Sequence, residues 1–136
     1  MYREKIDELL KWKMSTNRMP LILRGARQVG KTWLMKEFGE KYYKKVAYIN
    51  FENNEPMKVL FEGSLEPERI INALKIESNI DINADDTLII FDEIQEVPRA
   101  LTSLKYFCEQ ASKYHIVAAG SLLRSCFAPR NIISSR

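Results

Sequence analysis

An apolar run of strand length, L-I-L at residues 21–23, empties into G-A-R-Q-V-G-K-T at residues 25–32, and a helix-forming segment begins at Trp33. Few local patterns restrict a fold as tightly. A strand that feeds a glycine-bearing loop and then a helix aims the loop N–H groups and the positive helix end at one point. Glycine at 25 and 30 lets the backbone turn and approach closely. The cradle this makes, Gly25, Ala26, Arg27, Gln28, Val29, Gly30, Lys31, Thr32 and Trp33, suits the phosphates of a nucleotide triphosphate. Lys31 would bring a mobile positive charge to the β- and γ-phosphates, and the Thr32 hydroxyl would ligate the Mg²⁺ that bridges them. Trp33 itself reads as a packing residue, and its helix is expected to stop near Gly39.

A second constellation follows at T-L-I-I-F-D-E, residues 87–93. Four consecutive apolar residues suit a strand buried on both faces of a parallel sheet. The strand ends in two carboxylates whose mutual repulsion near a triphosphate needs a cation to offset it. Asp92 stands where a Walker B aspartate holds magnesium through its water shell, and Glu93 where a general base polarises an attacking water. A base for water argues for hydrolysis over phosphate transfer to a small hydroxyl substrate. A third strand, Y-H-I-V-A-A at 114–119, ends in Gly120 and Ser121, and Ser121 fits a polar sensor of the γ-phosphate.

These strings together carry a resemblance. R-G-A-R-Q-V-G-K-T at 24–32, Y-I-N-F-E at 48–52, D-E-I-Q at 92–95 with Val97 and Pro98, and A-G-S-L-L at 119–123 resemble the AAA-type ATPases of bacteria and archaea. More narrowly, they look like the branch whose ATPase domain precedes a C-terminal domain of unknown function. The resemblance implies an α/β fold, a P-loop NTPase of three layers, α/β/α, with a mainly parallel sheet. It implies the sensor strand between the phosphate-loop strand and the Walker B strand. It also implies ATP at Arg27 to Thr32, Mg²⁺ at Thr32 and Asp92, and catalysis by Glu93 with Lys31 and Ser121.

The resemblance runs from about Arg18 to Leu123 and then stops. Residues 1–123 read as the ATPase domain and residues 124–136 as an atypical tail. The family pattern calls for a fifth strand and a lid, so the core is expected to be incomplete and the chain truncated after the sensor strand. The phosphate-loop strand would then lie at an open edge, which invites intermolecular pairing and poor solubility. None of Arg124, Arg130 and Arg136 sits in a family pattern for an arginine finger.

Between the motifs helices and strands alternate, as an α/β fold requires. Residues 2–14 make an amphipathic helix with Ile6, Leu9, Leu10 and Met14 on one side, and residues 46–51 a second strand. Residues 53–63 read as a loop, and 67–78 as a helix with Ile70, Ile71 and Leu74 inward. Pro98 suits the first position of a helix, along which Leu101, Leu104, Cys108 and Ala111 recur at helical spacing, placing Cys108 in the core. His115, the single histidine, reads as a packed or partly exposed strand residue. Asp81, Asp85 and Asp86 read as turn residues.

Bulk properties agree with one cytoplasmic domain. The 136 residues, 46% hydrophobic and 29% charged, suffice for a core. Two cysteines, Cys108 and Cys126, give no metal-site spacing and no disulfide framework. No stretch is long and apolar enough to span a membrane, and the N-terminus lacks a secretory core. The net charge of +3 comes from residues 110–136, which carry four bases and no acid; residues 1–109 hold 17 bases and 18 acids. Lys41, Lys44 and Lys45 around Tyr42 and Tyr43 leave nucleic acid open as a weakly supported partner, for a solvated helix end and loop is the better account of them. Self-association or a protein partner is also open.

Three readings of function stand. The first is Mg²⁺-dependent hydrolysis of ATP that drives a conformational change in a partner or further domain. The second is a nucleotide-binding fragment without catalysis, and the third a small-molecule P-loop kinase.

Overall fold

Every strand pairs in parallel, and that single fact gathers the C-terminal ends of the strands along one edge of the sheet. The computed structural model describes residues 2–25, 29–120 and 132–135. In chain order come α1 (Tyr2–Met14), β1 (Leu21–Gly25), α2 (Val29–Tyr42), β2 (Lys45–Asn50), α3 (Glu55–Leu60) and α4 (Pro67–Ser78). Then follow β3 (Thr87–Asp92), a 3₁₀ turn (Ile94–Glu96), α5 (Pro98–Gln110), β4 (His115–Ala119) and β5 (Ile132–Ser135). The spatial order is β2-β3-β4-β1-β5. From β1 the chain crosses to the far edge as β2 and works back, so β4 is laid between β3 and β1. β4 thus lies between β1 and β3, the strand order that the resemblance implies.

Alternation along each strand builds two cores. Ile22, Ala47, Ile49, Phe51, Ile89, Phe91, Ile116 and Ala118 face one way, against Met57 of α3, Ile70, Ile71 and Leu74 of α4, and Ala100, Leu104 and Phe107 of α5. Their alternates Leu21, Leu23, Leu88, Ile90, Val117 and Ala119 face Ile6, Leu9 and Trp12 of α1 and Met35 and Phe38 of α2. The result is the three-layer α/β/α arrangement. β3, buried at all six positions, is its central rod.

Several expectations need correction. The fifth strand is present: β5 pairs with β1 from Ile22↔Ile132 to Gly25↔Ser135. Two isoleucines followed by two small serines suit a short edge strand, and with it β1 is interior, which removes the ground for an exposed β1 edge. Residues 55–60 form α3 inside the expected loop, because Asn54 accepts from the Met57 N–H as its cap, Pro56 starts the turn and Met57 is buried. The second strand spans Lys45–Asn50, one residue earlier than expected.

α2 continues past Gly39 to Tyr42, for Gly39 is a packing residue: a Cβ there would stand 2.6 Å from Val46 Cγ2. On α1 the buried place expected for Met14 belongs to Trp12, with Met14 75% exposed. Trp12 fits there because its indole N–H donates to the Met19 carbonyl at 2.6 Å. Cys108 is half-buried, and Phe107 takes the core position.

Candidate functional site

The site grows from the ends of three parallel strands and one helix N-terminus. Gly25 closes β1, and α2 opens at Val29; the first turn of any helix leaves N–H groups without intrahelical acceptors, directed outward along the axis. Ala26, Arg27 and Gln28 lie outside the described residues, as does Ser121. Gly30 is exposed, and a Cβ there would meet nothing within 4 Å.

Lys31 and Thr32 point from the first turn of α2 into the sheet edge. Lys31 is only 6% exposed, and its Nζ donates to the Gly120 carbonyl just beyond β4 at 3.4 Å. Thr32 Oγ1 donates to Asp92 Oδ2 at 2.6 Å, which ties the loop helix to the end of β3. The sheet pleat makes this possible: Leu88, Ile90 and Asp92 share the face that α2 covers.

Asp92, 4% exposed, is a buried carboxylate and needs donors. It has three: the Thr32 hydroxyl, the Glu93 backbone N–H to Oδ1 at 3.0 Å, and the Tyr48 hydroxyl, also to Oδ2, at 2.6 Å. Burial first, then the hydrogen bond and charge of Asp92, push the Tyr48 phenol far above the ordinary tyrosine range, so it stays a donor. The Lys36 ammonium lies 4.1 Å from the centre of the Tyr48 ring.

Glu93 leaves the strand with left-handed backbone, φ 54, and its Oε1 accepts from Gln95 Nε2 at 2.9 Å. The other end of that amide, Gln95 Oε1, is buried without a partner and abuts Gly120, where any Cβ would run into it. Trp33, the fifth residue of α2 and expected to pack, is 52% exposed.

Lys31, Thr32, Asp92 and Glu93 are therefore brought together, with Gly25 and Gly30 framing the loop. Tyr48, Gln95 and Lys36 join them with no role read from the sequence. Tyr48 could have been suspected from its polar tip on the same strand face as the apolar Val46. Its reach to Asp92 needed the register Asn50↔Asp92. A hydroxyl already bonded to a carboxylate is a hard oxygen set that fits Mg²⁺, an ion that keeps waters and takes phosphate oxygens. Among the described residues no group of three or more His, Cys, Asp or Glu gathers to hold a metal alone.

Parallel sheet, loop, helix start and paired carboxylates define a P-loop nucleotide-binding domain. The AAA domain family matches residues 17–129, and the chain belongs to that family. Its ATPase-type, nucleotide-binding character follows from that membership. The fold is similar to that of C. elegans PCH-2, with a TM-score of 0.52 and 17% identity over 98% of this chain. The chain spans 41% of the length of that structure. No curated protein matches it. Among the described residues no helix is long and apolar enough to cross a membrane.

Proposed function

We propose that this domain binds ATP with Mg²⁺ at the β1–α2 loop and hydrolyses it, and that the cycle moves a partner or a further domain. The observation that carries the reading is the Thr32–Asp92 hydrogen bond at 2.6 Å, which joins the two halves of a metal-nucleotide site across sixty residues of chain. Thr32 and Asp92 would hold the magnesium, and when bound the ion neutralises charge on the β- and γ-phosphates.

The protein's own groups would act in order. Lys31 would leave the Gly120 carbonyl for the phosphates, exchanging a neutral acceptor for charged ones. Glu93 would release Gln95, orient a water in line with the γ-phosphorus and accept its proton. Ser121, following Gly120, would sense the γ-phosphate. The backbone N–H groups opening α2 would complete the cradle for the transferred charge.

The Gln95 bond to Glu93 favours one second reading, a domain that binds nucleotide and rests without turnover until a partner frees Glu93.

The test is ATP binding and phosphate release with Mg²⁺ for the parent chain, Lys31→Ala and Glu93→Gln. The working ATPase predicts binding lost in Lys31→Ala alone and turnover lost in both, by about a hundredfold or more for Glu93→Gln. Binding without turnover in the parent supports the resting domain. No binding by the parent removes both readings.

A further inference from the structure

We propose that Tyr48 is a positioning residue for the magnesium carboxylate: its hydroxyl shares Asp92 Oδ2 with Thr32 and fixes the Asp92 rotamer before metal and nucleotide arrive. The inference rests on the nucleotide-site reading above and adds a member to that site from β2, which contributes nothing to the phosphate loop.

The geometry carries it. Thr32 and Tyr48 each donate to Oδ2 at 2.6 Å, in the range of a short, charge-assisted O–H···O⁻ bond. A carboxylate oxygen has two in-plane lone pairs, so two donors saturate Oδ2. The Glu93 N–H takes one of the two on Oδ1, at 3.0 Å. Among the hydrogen bonds of the described residues one lone pair on Oδ1 is left over, and it faces whatever metal-bound water Asp92 would meet. Rotation of the carboxylate about its χ2 would break both hydroxyl bonds together.

Register explains why a tyrosine is needed. Asn50 stands opposite Asp92, but its Oδ1 accepts from the Glu52 N–H at 2.8 Å; Tyr48, opposite Ile90, reaches Asp92 by spanning two residues up the strand on the α2 face. A phenol is long and stiff enough for that span, with only two rotatable bonds. Its ring is fixed on the outer side by the Lys36 ammonium at 4.1 Å, one helical turn beyond Thr32. Both donors to Oδ2 therefore hang on α2, one directly and one through Lys36. A preset carboxylate saves the ordering cost that metal binding would otherwise meet.

The experiment compares affinity for a fluorescent ATP analogue with Mg²⁺ and with EDTA, in the parent chain, Tyr48→Phe, Asp92→Asn, their double variant and Lys31→Ala. Tyr48→Phe keeps the ring and its lysine contact, so its thermal melt should stay close to the parent's. It is expected to lose about tenfold of the affinity that Mg²⁺ confers and none of the affinity in EDTA. In Asp92→Asn the same change should cost nothing further.

Equal Mg²⁺ dependence in parent and Tyr48→Phe, or equal losses with and without the ion, would overturn the proposal while leaving the nucleotide site standing. Equal binding by parent and Lys31→Ala would overturn the site reading itself, and this proposal with it. Should Tyr48→Phe melt early, Lys36→Met, which leaves Tyr48 intact and frees its ring, must show the same Mg²⁺-selective loss in weaker form.

Discussion

Gln95 donates its side-chain amide to Glu93 Oε1 at 2.9 Å, from only two residues along the chain, while its own oxygen is buried against Gly120. One residue thus touches both the end of β3 and the end of β4. Since Glu93 must let go of Gln95 before it can hold a water, Gln95→Ala should raise turnover by up to about tenfold, the worth of one hydrogen bond to a charged group, and leave nucleotide affinity within about twofold. In Glu93→Gln, already idle, it should add nothing. Phosphate release in the two single variants and the double variant reads the coupling; a fall in turnover for Gln95→Ala, or the same change in both backgrounds, would contradict it.

Gly120 sits between Lys31 and Gln95, so a methyl group there has nowhere to go. Gly120→Ala meets Gln95 Oε1 and, at 3.4 Å, the Gln95 backbone nitrogen. A loss of about 1–3 kcal/mol in urea unfolding is expected, and Gly120→Ala combined with Gln95→Ala should recover most of it.

Replacing a glycine inside a helix by alanine ordinarily gains about 1 kcal/mol. Gly39→Ala should reverse that sign, because the new Cβ lies 2.6 Å from Val46 Cγ2 and 3.2 Å from Leu88 Cδ2. The two effects oppose, and overpacking against a stiff valine on a strand is the larger. A fall in the urea midpoint for Gly39→Ala, relieved by Val46→Ala, is the outcome to look for.

At the opposite end of the sheet from the loop, Tyr43 Oη lies 2.5 Å from His115 Nδ1, and Trp12 packs edge-on to the imidazole. Burial, then the charges of Arg18 and Lys13, lower the His115 pKa from 6.5 to about 4, and burial raises that of Tyr43. The neutral imidazole therefore accepts from the phenol. Since the folded pKa lies below the unfolded one, the unfolded chain binds the extra proton between them, and stability is full above about pH 6.5. It falls as pH drops from 6.5 and the fall levels off below about 4. Urea midpoints measured across that window should slope in the parent and flatten in His115→Phe.

The core on the α3–α5 side is held by three aromatic rings, Phe51, Phe61 and Phe91, each edge-on to the other two at centroid distances of 5.2–6.1 Å. Phe91 immediately precedes Asp92. Phe91→Ala should cost about 3–5 kcal/mol and lower nucleotide affinity with it, by loosening the end of β3; Phe91→Leu should retain most of both.

Legibility followed the reach of the forces involved. The meeting of Thr32 with Asp92 could be foreseen because phosphate chemistry demands particular residue types at fixed local spacing, and α1, α4 and the Pro98 start were readable from periodicity. Strand order came through resemblance alone. What escaped depends on contacts distant in sequence. Trp12 displaced Met14 because its indole finds the Met19 carbonyl, Gly39 proved to be a packing contact with β2, and Tyr48 acquired its place through strand register. α3 is only six residues long, too short for a periodic signal, and rests on one asparagine cap. β5, four residues in a tail with no family pattern, left no trace until it paired with β1.

The crossing of β1 to the far edge has a temporal side. β1 and α2 are made before either strand that pairs with β1: the first sheet neighbour is His115–Ala119, and the second Ile132–Ser135. Pairing over such separations is slow, because a long loop must close before any contact rewards it. Until then the phosphate loop hangs from a strand with no sheet on either side. Nucleotide binding is therefore a late event in the life of a newly made chain, and a labelled nucleotide added during refolding would report the last strand to seat, not the first helix to form.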